Sequence, residues 1–236
     1  MDAVLKRLSL AIIISVSPLQ AAITRTGSCS ATATSCTFSA TSTGDLKIIF
    51  AFDNGSRTIP TVPSGWTNAD LGNATTTGGT VAAEVVGCNV SSSSADTGSG
   101  TWTSATAVVG ISYSGTNVTT TAACRTSGLG TINFGNAKTS ATANYFSLSS
   151  FVGTVSWVAG LMGGTSPSTC TPSGMTSVSA TGAVRGNDTN AVVSSWATTG
   201  CTVTSETWMS DTLEILGVPP VVTCALSTAL LGVGCR

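Results

Sequence analysis

Histidine is absent from this chain. That removes Ser–His–Asp and Cys–His nucleophiles and most zinc sites, because each needs an imidazole as base or ligand. Acid–base chemistry is left to carboxylates. The chain has 10 Asp and Glu, spread along it with no recognisable motif spacing. Polar chemistry is densest in residues 51–70, AFDNGSRTIPTVPSGWTNAD, which bring Asp53, Arg57, Pro60, Pro63 and Trp66 together. Asp53 and Arg57 could clamp a ligand, but the simpler reading is an ion pair in a surface loop. Asp45, Glu84, Glu206, Asp211 and Glu214 lie in or beside strand-like segments. Strand alternation places most of them on solvent faces, with a calcium site built from several as the minor reading. Trp102, Trp157, Trp196 and Trp208 could stack on sugars, although core packing is the usual place for aromatics in strands. The sequence thus predicts no catalytic residue, no cofactor and no metal.

The other reactive side chains are eight cysteines: Cys29, Cys36, Cys88, Cys124, Cys170, Cys201, Cys224 and Cys235. None forms a CxxC, so metal knuckles and thioredoxin-like sites are disfavoured, and an even count favours disulfides. Eight cysteines allow about 105 pairings. Pairing neighbours gives Cys29–Cys36, Cys88–Cys124, Cys170–Cys201 and Cys224–Cys235. Asn-x-Ser/Thr sequons occur at Asn54, Asn73, Asn89, Asn117 and Asn187. They matter only if the chain meets a glycosylation machinery.

Charged residues make up 8% of the chain and the net charge is -1, against about 25% charged in an ordinary globular protein. A nucleic-acid partner is excluded on this ground, because phosphate binding needs clustered Lys and Arg. Hydrophobic residues are 42% of the total, enough to build a core. Residues 1–21 read as a signal peptide or an apolar arm: Lys6 and Arg7 precede the apolar run 8–16, which Pro18 interrupts. That run is too short for a membrane span. The tail 219–236 opens on Pro219-Pro220 and carries two cysteines. It reads as a stapled last segment, or as one that adds to a neighbour's sheet edge.

The segments that must position these residues read as strands. They are 45–52, 80–90, 105–115, 144–151, 155–162 and 211–218, each short, β-branched or aromatic, and bounded by Gly, Ser, Asn or Pro. Outside the N-terminal run no stretch keeps a helical period, so the pattern predicts an all-β sandwich over 22–218. A weak internal repeat supports two similar halves, jelly-roll-like in arrangement. Residues 44–67 align with 153–176 without a gap, matching Gly44 with Gly153 and Pro63-Ser64-Gly65-Trp66-Thr67 with Pro172-Ser173-Gly174-Met175-Thr176. Residues 100–111 have a counterpart in 206–216. The second copy has Met162 and Ser166 where the first has Asp53 and Arg57. An architectural device used twice keeps its turn and its apolar plug and need not keep its charges.

At these residues the chain resembles a phage-associated β-sandwich family of tail, appendage and head-decoration proteins of tailed phages and phage-like loci. The resemblance covers about 40–219. It rests on Gly44-Asp45-Leu46, Asn54-Gly55-Ser56, Pro63-Ser64-Gly65-Trp66, Gly100-Thr101-Trp102-Thr103, Ser156-Trp157-Val158 and Pro172-Ser173-Gly174-Met175, taken in order, with 187–196 as a late loop. The cysteines, the signal-like segment and the tail are additions to the family pattern, and they fit export or oxidation outside a cell. The resemblance implies a structural or adhesive role without catalytic residues. The expected protein is a non-enzymatic subunit of an extracellular assembly, with copies of itself and surface glycans as partners. The alternative is a secreted carbohydrate-binding module, which needs a row of exposed Trp or Tyr.

Overall fold

The computed structural model describes residues 22–70, 72–77, 80–164 and 170–219, apart from the side chains of 73–77, 80, 136–139 and 204–206. The predicted segments 1–21 and 219–236 therefore lie outside it, except Pro219. Among the described residues eleven strands form two sheets. The first holds β1 (Thr24–Ala31), β2 (Leu46–Asn54), β3 (Thr67–Asn68), β4 (Asn73–Thr77), β5 (Thr80–Val90) and β6 (Ala107–Ser114). The second holds β7 (Leu129–Tyr145), β8 (Ser156–Gly164), β9 (Thr176–Ala180), β10 (Val184–Asp188) and β11 (Thr199–Leu216). All pairings are antiparallel. A 3-10 turn (Thr121–Ala123) and a π turn (Cys124–Gly128) join the halves. Among the described residues no helix is long and apolar enough to cross a membrane.

Each half of the chain supplies one sheet, and the two sheets share one strand order. The first runs β1-β6-β2-β5-β3, with β4 also on β5, and the second β7-β11-β8-β10-β9. The repeat aligns β2 with β8 and β3 with β9, and the matching order extends it to β1 with β7, β5 with β10 and β6 with β11. The turn at the heart of the repeat is the same in both copies. Trp66 N donates to Pro63 O at 3.1 Å and Met175 N to Pro172 O at 3.2 Å. Gly65 (φ 83) and Gly174 (φ 85) take the left-handed position, the position that calls for glycine in a type II turn. Trp66 then packs edge-on against Trp102 at 5.5 Å, and Met175 packs on the cluster that holds Trp196.

Both sheets are covered on both faces. Leu46, Ile48, Phe50 and Phe52 of β2 meet Trp157, Ala159 and Leu161 of β8 between the sheets. The outer face of the first sheet is closed by Phe38, Val62, Trp66, Trp102 and Ala105, and that of the second by Leu148, Phe151, Met175 and Trp196. This changes the fate of the charges. Alternation sends a residue to solvent only if the outer face is wet. Here Asp45 and Glu214 are buried under the outer covers, and Glu84 and Asp211 are buried on the inner faces, all against the expectation of solvent faces; the side chain of Glu206 lies outside the described residues.

Two strand boundaries also differ. The predicted strand 144–151 ends at Tyr145, and residues 146–151 form part of the outer cover instead. The last strand spans Thr199–Leu216 rather than 211–218.

Candidate functional site

Three of the four expected disulfides form: Cys29–Cys36, Cys88–Cys124 and Cys170–Cys201. Cys224 and Cys235 lie outside the described residues. Each bond ties a loop to a strand; Cys124, at the turn between the halves, is bound to Cys88 of β5. Three disulfides fit an oxidising environment.

The expected Asp53–Arg57 pair does not form. The ion pairs among the described residues are Arg25–Asp188 and Lys47–Asp96. Asp53 is buried at the end of β2, which pushes its carboxyl up, while Ser56 holds it back with a hydrogen bond. Arg57 is exposed. Composition alone gave no sign of the two real pairs. Arg25 on β1 makes a two-pronged contact with Asp188 on β10, at 2.9 Å for both bonds, and Tyr113 donates to the same carboxylate at 3.2 Å. This pair crosses from one sheet to the other along one side of the sandwich. Lys47 is enclosed on the outer face of β2, 2.7 Å from Asp96, with its ammonium 5.5 Å from the Trp66 ring centre.

The aromatic rings form no exposed row. Trp102, Trp157, Trp196 and Trp208 are buried, as are Tyr113 and Tyr145. Trp66 is half-buried against Trp102. Among the sequons, Asn54 and Asn117 are exposed and Asn89 is half-buried, donating to Gly65 O. Asn187 is fully buried and donates to Tyr145 Oη at 2.8 Å and to Cys170 O at 3.1 Å. It is therefore no glycan acceptor in the folded protein. The side chain of Asn73 lies outside the described residues.

Two buried acids from the sequence reading, Glu84 and Asp211, are brought together, and Asp70 joins them. Carboxylate oxygens of the three lie within 4.8 Å of one another. Asp70 follows the Trp66 corner, where its Oδ1 accepts from Gly72 N at 2.8 Å and Val86 N at 3.2 Å. Glu84 stands on the inner face of β5 between Ala82 and Val86. Asp211 comes from the other sheet, on the inner face of β11 between Met209 and Leu213. Burial pushes the Asp211 carboxyl well up, and the Glu84 and Asp70 charges push it further. Burial also raises Asp70, against its two backbone hydrogen bonds and the field of Arg125. At 4.8 Å two carboxylates repel by about 3 kcal/mol at an effective dielectric of about 20. Asp70 was within reach of the sequence reading, since it closes the Trp66 stretch. Nothing in its spacing connects it to residue 211, because only the stacking of the sheets does so.

Glu214 shows how this fold treats an acid it needs charged. It is fully buried on the outer face of β11. Its carboxylate accepts from Thr131 N at 3.0 Å, Val152 N at 3.0 Å, Gly153 N at 2.9 Å and Ser156 Oγ at 2.6 Å. Burial alone raises its pKa, but these donors outweigh it and hold the carboxyl below its ordinary range. Comparison with family models, curated proteins and solved structures finds no match to the chain.

Proposed function

We propose that the protein is a non-enzymatic structural or adhesive subunit of an extracellular assembly, a virion appendage or decoration or a cell-surface filament, built by association of copies of its sandwich. The observation that carries this reading is where the charges go. Among the described side chains Arg57 is the one charged residue that is exposed; the others are buried or half-buried. A surface of hydroxyls, amides and small side chains provides almost no electrostatic repulsion between copies.

The sheet edges support the same reading. Proteins that stay single usually guard their edges with lysines, prolines or short strands. β7 is an edge strand of 17 residues with Lys138 as its one charged residue, and the edge strand β9, TSVSA, has none. Such edges can accept a strand from a neighbour. The three disulfides favour an oxidising, extracellular setting, and the resemblance of the motif order to phage appendage proteins is the ground for reading that setting as a virion or cell surface.

A carbohydrate-binding module would present aromatic rings to solvent, and the buried tryptophans weigh against it. Surface glycans then enter as ligands of the assembled edge or loops rather than of an aromatic platform. Sedimentation velocity of the oxidised full chain tests the reading. Concentration-dependent growth to discrete larger species is expected, and a single monomeric boundary at every concentration would overturn it.

A further inference from the structure

Among the described carboxyl groups Asp211 stands out, because both of its oxygens lack a hydrogen-bond partner. It is 0% exposed, its side chain points into the tricarboxylate cluster, and neither carboxylate oxygen receives a hydrogen bond from an N–H or hydroxyl group. Buried polar groups are almost always satisfied, and a bare buried carboxylate is among the most costly groups a fold can contain. Other buried acids of this fold have donors around them. Asp188, facing the same interior from β10, has Arg25 and Tyr113, and Glu214 has its cage of donors. Asp211 is treated differently.

We propose that Asp70, Glu84 and Asp211 bind one hard divalent cation of the calcium class between the two sheets. The donor chemistry selects the ion: all three side chains offer carboxylate oxygen and none offers imidazole or thiolate, which suits calcium, magnesium or manganese rather than zinc or copper. Oxygens within 4.8 Å of one another can share one ion, because calcium–oxygen distances of about 2.3–2.6 Å place two ligands at most about 5 Å apart. Glu84 belongs to the first sheet, Asp70 to the loop between its strands β3 and β4, and Asp211 to the second sheet, so the ion would clasp the β5–β11 side of the sandwich as the Arg25–Asp188 pair clasps the β1–β10 side. A supply of free calcium is usual outside cells, where binding modules work with Kd values of about 10⁻⁴–10⁻³ M. The inference does not depend on self-association.

The competing account is a proton held between Asp211 and Glu84 with no metal. Calcium titration of the EDTA-treated, oxidised full chain separates the two, read by calorimetry and by thermal unfolding. The proposal expects one saturable calcium per chain. It expects Tm to rise by roughly 5–10 °C at about a hundred times Kd. Asp211→Asn should weaken calcium binding by at least about 100-fold, more than the loss of an outer-sphere partner, while its metal-free Tm equals or exceeds that of the parent. Glu84→Gln gives an independent variant if Asp211→Asn does not fold. Absence of saturable binding up to about 10 mM, above the weakest extracellular class, overturns the proposal. So does calcium binding that survives both substitutions.

Discussion

Replacing Glu214 by Gln should be among the most damaging single changes in this protein. The carboxylate gathers Thr131 N, Val152 N, Gly153 N and Ser156 Oγ at 2.6–3.0 Å, pinning the β7–β8 connection to β11. Gln keeps one acceptor oxygen and turns an NH2 group toward backbone N–H groups that cannot accept. At least one donor, Thr131 N, then loses its partner, at about 1–3 kcal/mol, and the three bonds that remain lose their charge assistance, at about 1 kcal/mol each. A total loss of about 3–5 kcal/mol follows, or a fall in Tm of roughly 6–20 °C for a domain of this size. Urea unfolding at pH 7 with the disulfides intact measures it.

Acid gives a second signature of the same group. The folded pKa of Glu214 lies below its ordinary 4.5, so its stabilisation is fully present above that pH and is lost as pH falls through the folded value. The gap between parent and Glu214→Gln should therefore be constant above pH 4.5 and shrink below it. A loss under about 1 kcal/mol at pH 7, less than one charged hydrogen bond contributes, would refute the reasoning, as would a gap that acid leaves unchanged.

Gly65→Ala and Gly174→Ala should each cost roughly 1–2 kcal/mol, the penalty of a left-handed residue with a Cβ, since an added Cβ meets nothing within 4 Å at Gly65 and only the Trp196 ring, at an ordinary contact distance of 3.5 Å, at Gly174. Similar losses for both in urea unfolding would support equivalent turns, and a large difference would break the equivalence. Reduction should lower Tm strongly, because loops closed over 7, 36 and 31 residues contribute about 2–4 kcal/mol each; a melt unchanged by dithiothreitol would contradict this. Expression in a glycosylating host should add glycans at Asn54 and Asn117 and none at Asn187, as peptide mass spectrometry would show. A glycan on Asn187 would contradict its bonds to Tyr145 and Cys170.

The sandwich was legible where strands carry β-branched and aromatic runs. The sequence segment 80–90 coincides with β5, and Leu46–Asn54 and Ser156–Gly164 lie within two residues of the predicted ends. Strands without such residues were not legible. β7, LGTINFGNAKTSATANY, reads locally as loop and becomes a strand because β11 supplies its partner. β10, VRGND, has the composition of a turn yet lies between β8 and β9. The Pro-Ser-Gly-apolar corner was legible because its turn is local chemistry, and pairing neighbours anticipated the three described disulfides. The charges were not legible. The burial of Lys47 and Glu214 depends on loops folding over the outer sheet faces, and that of Glu84 and Asp211, like their meeting with Asp70, depends on the contact of two sheets far apart in sequence.

Electron microscopy of the oxidised full chain across a range of concentrations tests the central claim most directly. The account predicts ordered, repeating particles or filaments whose subunit has the dimensions of one sandwich. Dispersed particles of monomer size at every concentration would contradict it.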